Sequence, residues 1–260
     1  MRKIACATLS CDGFKETHFR ESFKKLPKIP IRYVEFNCWY PGDLTNKSIE
    51  NINSKCEEKN LKPIAIYGTH FGGETRGEIC KDVAHKIRMM EVAKAVGCHR
   101  IVATGLNGRP EGSLMSIISV LKEIVPMAED MNINICLENH FNNTLEKIED
   151  YREIFNCISS DHVGLCVDTG HFYASGVSLS KIVDIFENKI NHIHLKDCKE
   201  KGKDNFVNYG EGEVDHFGFM KKVVDNGYQG FMTLELELKN KSEVVKQLKQ
   251  AKKMFEPFTS

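Results

Sequence analysis

Four short apolar runs of this 260-residue chain end in an ionisable side chain. INICLENH carries Glu138, VGLCVDTGH carries Asp168, INHIHLKD carries His194, and FMTLELEL carries Glu235 and Glu237, either of which could serve. A carboxylate on a buried strand is costly to desolvate unless a cation or a hydrogen-bond network neutralises it. Three carboxylates and an imidazole from successive runs form the donor set of one divalent metal ion. Such an ion is a Lewis acid for a chelated carbonyl and its neighbouring hydroxyl. It would acidify the adjacent C–H and stabilise the enediolate formed on its loss. Carboxylates on opposite faces of a bound substrate would then invert that carbon, and one base shuttling between adjacent carbons would move the carbonyl.

The elements that must position these groups follow from periodicity. Eight strand candidates stand out: KIACATLS, IRYVEFN, KPIAIYGTH, RIVATG, INICLENH, VGLCVDTGH, INHIHLKD and GFMTLELEL. They are apolar on both faces, as strands covered by helices are. Helical spacing links Val83, Ile87 and Met90, with Gly97 as a cap. The same spacing links Leu114, Ile117, Ile118 and Leu121, where Pro126 should kink or end the helix early. Further helical patterns include Leu145, Ile148 and Ile154, then Ile182, Ile185 and Phe186, then Met220, Val223 and Val224, and last Val244, Leu248 and Ala251.

Eight strands alternating with helices predict a single (β/α)₈ TIM barrel spanning residues 1–260. The competing architecture, an open doubly wound sheet, calls for a glycine-rich turn after the first strand, and TLSCDGF is not one. In a barrel the reactive residues gather at the carboxyl ends of the strands, where Glu138, Asp168, His194 and Glu235 fall. Alternation puts His192, His194 and Lys196 on one face of their strand, and Cys136, Glu138 and His140 on one face of theirs.

Lysine plus arginine and aspartate plus glutamate balance at 36 each. That balance gives no reason to expect nucleic acid or an anionic membrane as partner. The amino-terminal apolar stretch is too short for an export signal or a membrane span. The ten cysteines include Cys136 and Cys166 inside strands, and no Cys-x-x-Cys pair occurs. Reduced core thiols in a cytoplasmic protein are the reading.

The strings LENH, VDTGH, HIHLKD, GEGEVD and GYQGFMTLE resemble the sugar phosphate isomerase/epimerase family, the xylose-isomerase-like barrels. The resemblance is specific from the fifth strand onward. In the first half only the strand–helix rhythm matches. It implies one divalent ion, with manganese expected and magnesium, cobalt or zinc as alternatives, held by Glu138, Asp168, His194 and Glu235. Glu235 is preferred to Glu237 by its interval from the Gly-Tyr-x-Gly turn. Glu138 and Glu235 would double as the proton-transfer pair. His171, three residues after the aspartate, would contact substrate.

Other expectations are positional. Glu35 and His70 end strands two and three at the mouth and either meet sugar hydroxyls or are structural, and Lys196 either meets the substrate or pairs with a carboxylate. Trp39 and Tyr40 would form an apolar wall. Arg109, Lys199, Lys201 and Lys203 are either phosphate ligands or, preferably, solvated loop charges. The long stretch from Asp197 to about His216 reads as a lid or substrate loop. Lyases and dehydratases built on the same barrel are the alternative activity. Apurinic endonucleases, also on this fold, need a trinuclear zinc cluster and further histidines that ATGLNGR and KDN do not supply. Self-association is common among such barrels but has no marker in the sequence.

Overall fold

The computed structural model describes residues 2–14, 18–237 and 242–259. Eight parallel strands close into one barrel: β1 (Lys3–Ala7), β2 (Tyr33–Asn37), β3 (Lys62–Tyr67), β4 (Arg100–Ala103), β5 (Asn134–Glu138), β6 (Val163–Asp168), β7 (Ile190–Leu195) and β10 (Phe231–Leu234). β10 closes against β1, with Lys3 beside Phe231 and Cys6 beside Leu234. A two-stranded antiparallel hairpin, β8 (Asp197–Cys198) and β9 (Phe206–Val207), fills the connection after β7.

All eight expected strands form, and each is shorter than its apolar run. The reason is visible after β6. Asp168 Oδ1 accepts a hydrogen bond from the His171 backbone at 2.9 Å, capping the helix Thr169–Ala174. The string TGH is therefore a helix start, since a capping aspartate satisfies donors that a strand would leave to its ladder. The last run, GFMTLELEL, stops as a strand at Leu234, and its Leu238 lies outside the described residues.

Pro126 does not break its helix, which runs from Ser113 to Met131. Pro126 and Lys122, the residue four positions earlier whose carbonyl a proline cannot serve, are both exposed, so that side of the helix is open to water. The preceding helix, Arg76–Ala95, starts at a Thr75–Glu78 capping box and ends before Gly97 at φ +80°, as a left-handed cap requires.

The main core lies between strands and helices. The barrel's interior is lined by small residues, among them Ala5, Ala65, Val102, Cys136 and Cys166. They leave room there for Glu35, His192, His194 and Thr233, all fully buried. All ten cysteines are free, and eight are buried. No described helix is long and apolar enough to cross a membrane.

Candidate active site and metal centre

The four residues singled out at strand ends converge. Glu138 closes β5, Asp168 closes β6, His194 is the penultimate residue of β7, and Glu235 follows β10 directly. Parallel register sets them side by side, with Asp168 opposite His194 and His194 opposite Thr233. One ligand atom from each of Glu138, Asp168, His194 and Glu235 lies within 4.8 Å of the others, and all four residues are buried. That span suits donors on one ion with bonds of about 2.0–2.5 Å.

The local polar contacts test whether a cation belongs there. Buried carboxylate oxygens ordinarily have partners. Asp168 Oδ2 and Glu235 Oε2 are buried and make no hydrogen bond. Their closest cationic neighbours are Lys196 Nζ, 3.4 Å from Asp168 Oδ2, and His194 Nδ1, 3.1 Å from Glu235 Oε2. His194 Nδ1 also meets Glu138 Oε1. Two carboxylate oxygens, Asp168 Oδ2 and Glu235 Oε2, thus have no hydrogen-bond donor on them beside Glu138 and His194. The donor set fits a divalent ion.

Lys196 borders this spot. Its ammonium lies 2.7 Å from Glu235 Oε1, 2.6 Å from Glu237 Oε1 and 3.3 Å from His171 Nε2. Glu237 pairs with the lysine as Glu235 does, but it is not in the group of four whose ligand atoms cluster. Burial pushes the Glu235 carboxyl up to about 7, although Lys196 and His194 oppose the shift. Burial likewise raises Asp168. Burial acts the same way on Glu138, but His194, Lys196 and the Tyr67 hydroxyl outweigh it and hold Glu138 below the usual carboxylate range.

His171 stands beside Lys196 and is buried. Its Nδ1 accepts from the Phe141 backbone at 3.2 Å, and its ring lies 3.6 Å from that of His140. Burial, Lys196 and His140 keep it well below the ordinary histidine range, so it is neutral. Nδ1 thus meets a backbone donor, while Nε2 faces the Lys196 ammonium beside the pocket.

Above these groups opens a pocket of about 240 Å³, whose lining includes Glu138, Lys196, Glu235, Trp39, Phe206 and Asp204. Larger grooves lie elsewhere, one of about 740 Å³ lined by Arg2, Pro27 and Lys252. Only the smaller one is floored by the clustered ionisable groups. Trp39 packs on Phe14 at 5.4 Å and on Tyr67 at 5.1 Å, forming the expected apolar wall. Tyr40 is half exposed and turns its hydroxyl to the Phe14 carbonyl instead of the pocket.

Two residues expected at the mouth lie elsewhere. Glu35 is fully buried inside the barrel, 2.8 Å from His192 Nε2 and 2.9 Å from His194 Nε2, below the pocket floor. β3 ends at Tyr67, so His70 falls three residues beyond it, is exposed, and borders a separate groove with Asp82 and His85. The residue that β3 does send to the site is Tyr67, whose hydroxyl donates to Glu138 Oε2 at 2.6 Å. Its place as last residue of an alternating strand, in phase with Ala65, is a signal the sequence reading passed over. Phe206 had no such signal. It reaches the pocket because the hairpin folds back, and its ring lies 4.7 Å from the Lys196 ammonium.

The stretch after β7 is an ordered insert. Asp197 accepts from the backbones of Gly210 and Gly212, and the Tyr209 hydroxyl donates to the Leu195 carbonyl at 2.5 Å. A side chain at Gly212 would collide with Asp197. Arg109 is bound on both nitrogens by Asp150 at 2.9 and 2.7 Å and caps the carbonyls of Asn143 and Thr144, so it is a loop clamp. Lys203 pairs with Glu200, and Lys201 sits over Tyr173.

Known proteins resemble this chain along most of its length. An inosose isomerase of Bacillus velezensis is 24% identical over 236 residues, covering 85% of this chain and 84% of that protein. An inosose dehydratase of Clostridium botulinum is 22% identical over 256 residues, covering 90% and 81%. A solved structure of the IolI protein with a bound zinc atom superposes with a TM-score of 0.84 at 21% identity, covering 99% of both chains. The model of the xylose isomerase-like TIM barrel family matches residues 23–257, and the chain belongs to that family.

Proposed function

We propose that this chain is a metal-dependent isomerase or epimerase of a ketose or related hydroxy ketone, working by proton transfer next to the carbonyl. The observation that carries the reading is the convergence of Glu138, Asp168, His194 and Glu235, with two buried carboxylate oxygens left unbonded, at the floor of a pocket sized for a small polyol. One divalent ion held by these four residues would supply Lewis-acid activation of the carbonyl. The apolar face of the sugar lies on Trp39 and Phe206. Glu138 and Glu235 stand on either side of the substrate, where one takes the proton from carbon and the other returns it. Neutral His171 lines the pocket and contacts a substrate oxygen. Lys196 lies beside Glu235 and balances negative charge as the enediolate forms.

The pocket's charges favour an unphosphorylated substrate. Lys196 is the lysine among its lining residues, and it is already engaged by carboxylates, while Glu138, Asp204, Glu235 and Glu237 are acidic. Manganese, magnesium, cobalt and zinc all suit the donor set, and the zinc in the IolI structure is a reason to include zinc.

Lys196 also supports a second reading, dehydration. A glutamate that removes the carbon-bound proton and a lysine that protonates the departing hydroxyl would together expel water. The resemblance to an inosose dehydratase supports this reading as well. The test is a panel of ketoses, their phosphates and cyclic polyol ketones, incubated in deuterated water with each of the four metals. An isomer of unchanged formula carrying solvent deuterium is expected. A product lighter by one water would select the dehydratase instead, and no exchange with any metal would refute both.

A further inference from the structure

Glu35 is a buried acid with no place in the pocket, and it crosses the barrel to reach its partners. It sits on β2, whose barrel neighbours are β1 and β3, yet its carboxylate contacts His192 and His194 on β7. We propose that Glu35, held by His192, is a positioning residue that fixes the His194 ring with Nε2 protonated and Nδ1 turned to the ion; this rests on the metal-site reading above.

An ionised carboxylate only accepts hydrogen bonds. Glu35 Oε1 lies 2.9 Å and Oε2 3.1 Å from His194 Nε2, so that nitrogen must carry the hydrogen. Nδ1 faces Glu138 Oε1 and, at 3.1 Å, Glu235 Oε2. Without an ion a hydrogen on Nδ1 links it to these carboxylates, and with one the Nδ1 lone pair takes that place. The arrangement therefore selects the nitrogen that would bind the ion. A carboxylate behind a ligating imidazole raises its basicity and sets its orientation. His192 makes the support rigid, with Nε2 2.8 Å from Glu35 Oε2 and 3.1 Å from the Thr233 hydroxyl. Glu35, His192, His194 and Thr233 are all fully buried. Small neighbours such as Ala5, Ala65 and Cys166 leave the interior room for this cross-barrel group.

The experiment is zinc and cobalt titration of wild type, Glu35→Gln and Glu35→Asp by calorimetry, with thermal midpoints measured in chelator. Glutamine presents an N–H donor that favours the wrong tautomer of His194. Aspartate keeps the charge but withdraws it by one methylene. Roughly 10–100-fold weaker binding is expected for Glu35→Gln, the usual effect of losing such a support. Glu35→Asp should lose less, with chelated midpoints near wild type. Equal affinity in wild type and both variants would overturn the inference while leaving the metal site standing. Should Glu35→Gln not fold, Glu35→Asp decides alone, and unchanged affinity there overturns it. A wild type that binds no ion would remove the metal-site reading itself. Cys166, His192 and His194 form a second possible donor group. A thiolate charge-transfer band in the cobalt protein would place the ion on that group and overturn the assignment of Nδ1.

Discussion

Among the described residues two lysines are buried almost completely, and their surroundings differ in the count of opposing charges. Lys86, on the helix Arg76–Ala95, meets one carboxylate, Asp82, together with the His70 carbonyl at 2.8 Å and the Phe71 ring at 4.6 Å. Asp82 in turn accepts from the Gly72 backbone at 2.8 Å. Charge and hydrogen bonds close on themselves, and the result is a clamp on the loop after β3. Burial pulls the Lys86 ammonium below the ordinary lysine value. Lys196 meets Asp168, Glu235 and Glu237, with Glu138 nearby. Burial acts on it in the same direction, but these carboxylates outweigh burial and hold it well above the ordinary value. One pair is neutral and finished, and the other cluster is acid in excess with unbonded oxygens. Burial of an ion pair by itself says nothing of function; surplus charge with open lone pairs does.

The comparison breaks most sharply at the metal ligands. Asp168→Ala or His194→Ala should reduce bound divalent ion from about one per chain to none after dialysis, and abolish turnover, because too few donors remain. Lys86→Met should leave metal content unchanged. Elemental analysis of the three proteins checks this, and normal metal in both ligand variants would end the assignment.

Next comes the proton-transfer pair. Glutamine keeps shape and one acceptor oxygen without basicity. Glu138→Gln and Glu235→Gln should retain metal while turnover falls on the order of 10²–10⁴-fold. Full activity in both would shift the base to His171 or Lys196.

The two lysines should then separate in stability. Lys86→Met leaves Asp82 buried and unpaired, at a cost of about 3–5 kcal/mol whether or not metal is present. Lys196→Met removes the cation shared by Asp168, Glu235 and Glu237. Saturating metal should recover much of its loss by neutralising two of those same groups. Urea unfolding with chelator and with metal distinguishes the two responses.

The pH dependence carries a sign. Burial raises Glu235 from 4.5 to about 7, so the native form holds a proton that the unfolded chain has released. Its stabilising contribution in the metal-free protein is present below about 4.5 and is lost as pH climbs to about 7. Glu35 and Glu138 are lowered and act in the opposite sense, losing their contribution as pH falls below the ordinary carboxylate range. A bound ion displaces the Glu235 proton, so metal should flatten the decline between those two pH values. A decline equally steep with metal would place Glu235 outside the ligand set.

The smallest effect concerns the cover over Lys196. Phe206→Ala removes a ring lying 4.7 Å from the ammonium, a contact worth about 0.5–1 kcal/mol at a partly exposed site. KM should rise roughly 2–5-fold with metal affinity unchanged, and steady-state kinetics would show it.

The sequence alone determined the alternation of eight apolar runs with amphipathic helices, hence the barrel, because side-chain period is set locally by backbone geometry. It also marked Glu138, Asp168, His194 and Glu235, since an acid or imidazole at the end of an apolar run is conspicuous wherever the chain goes. The choice of Glu235 over Glu237, open on spacing alone, rests on which carboxylate faces the spot shared by the ligand group, since Lys196 contacts both. Only the tertiary structure moved Glu35 from the mouth to the interior, because its partners lie on a strand that is not its neighbour, 157 and 159 residues away. It likewise replaced His70 by Tyr67, where the end of β3 decided, and brought Phe206 over the pocket through a hairpin. Local pattern names the residues that strands carry. Which of them meet across a closed barrel depends on register and closure, and these belong to the whole chain.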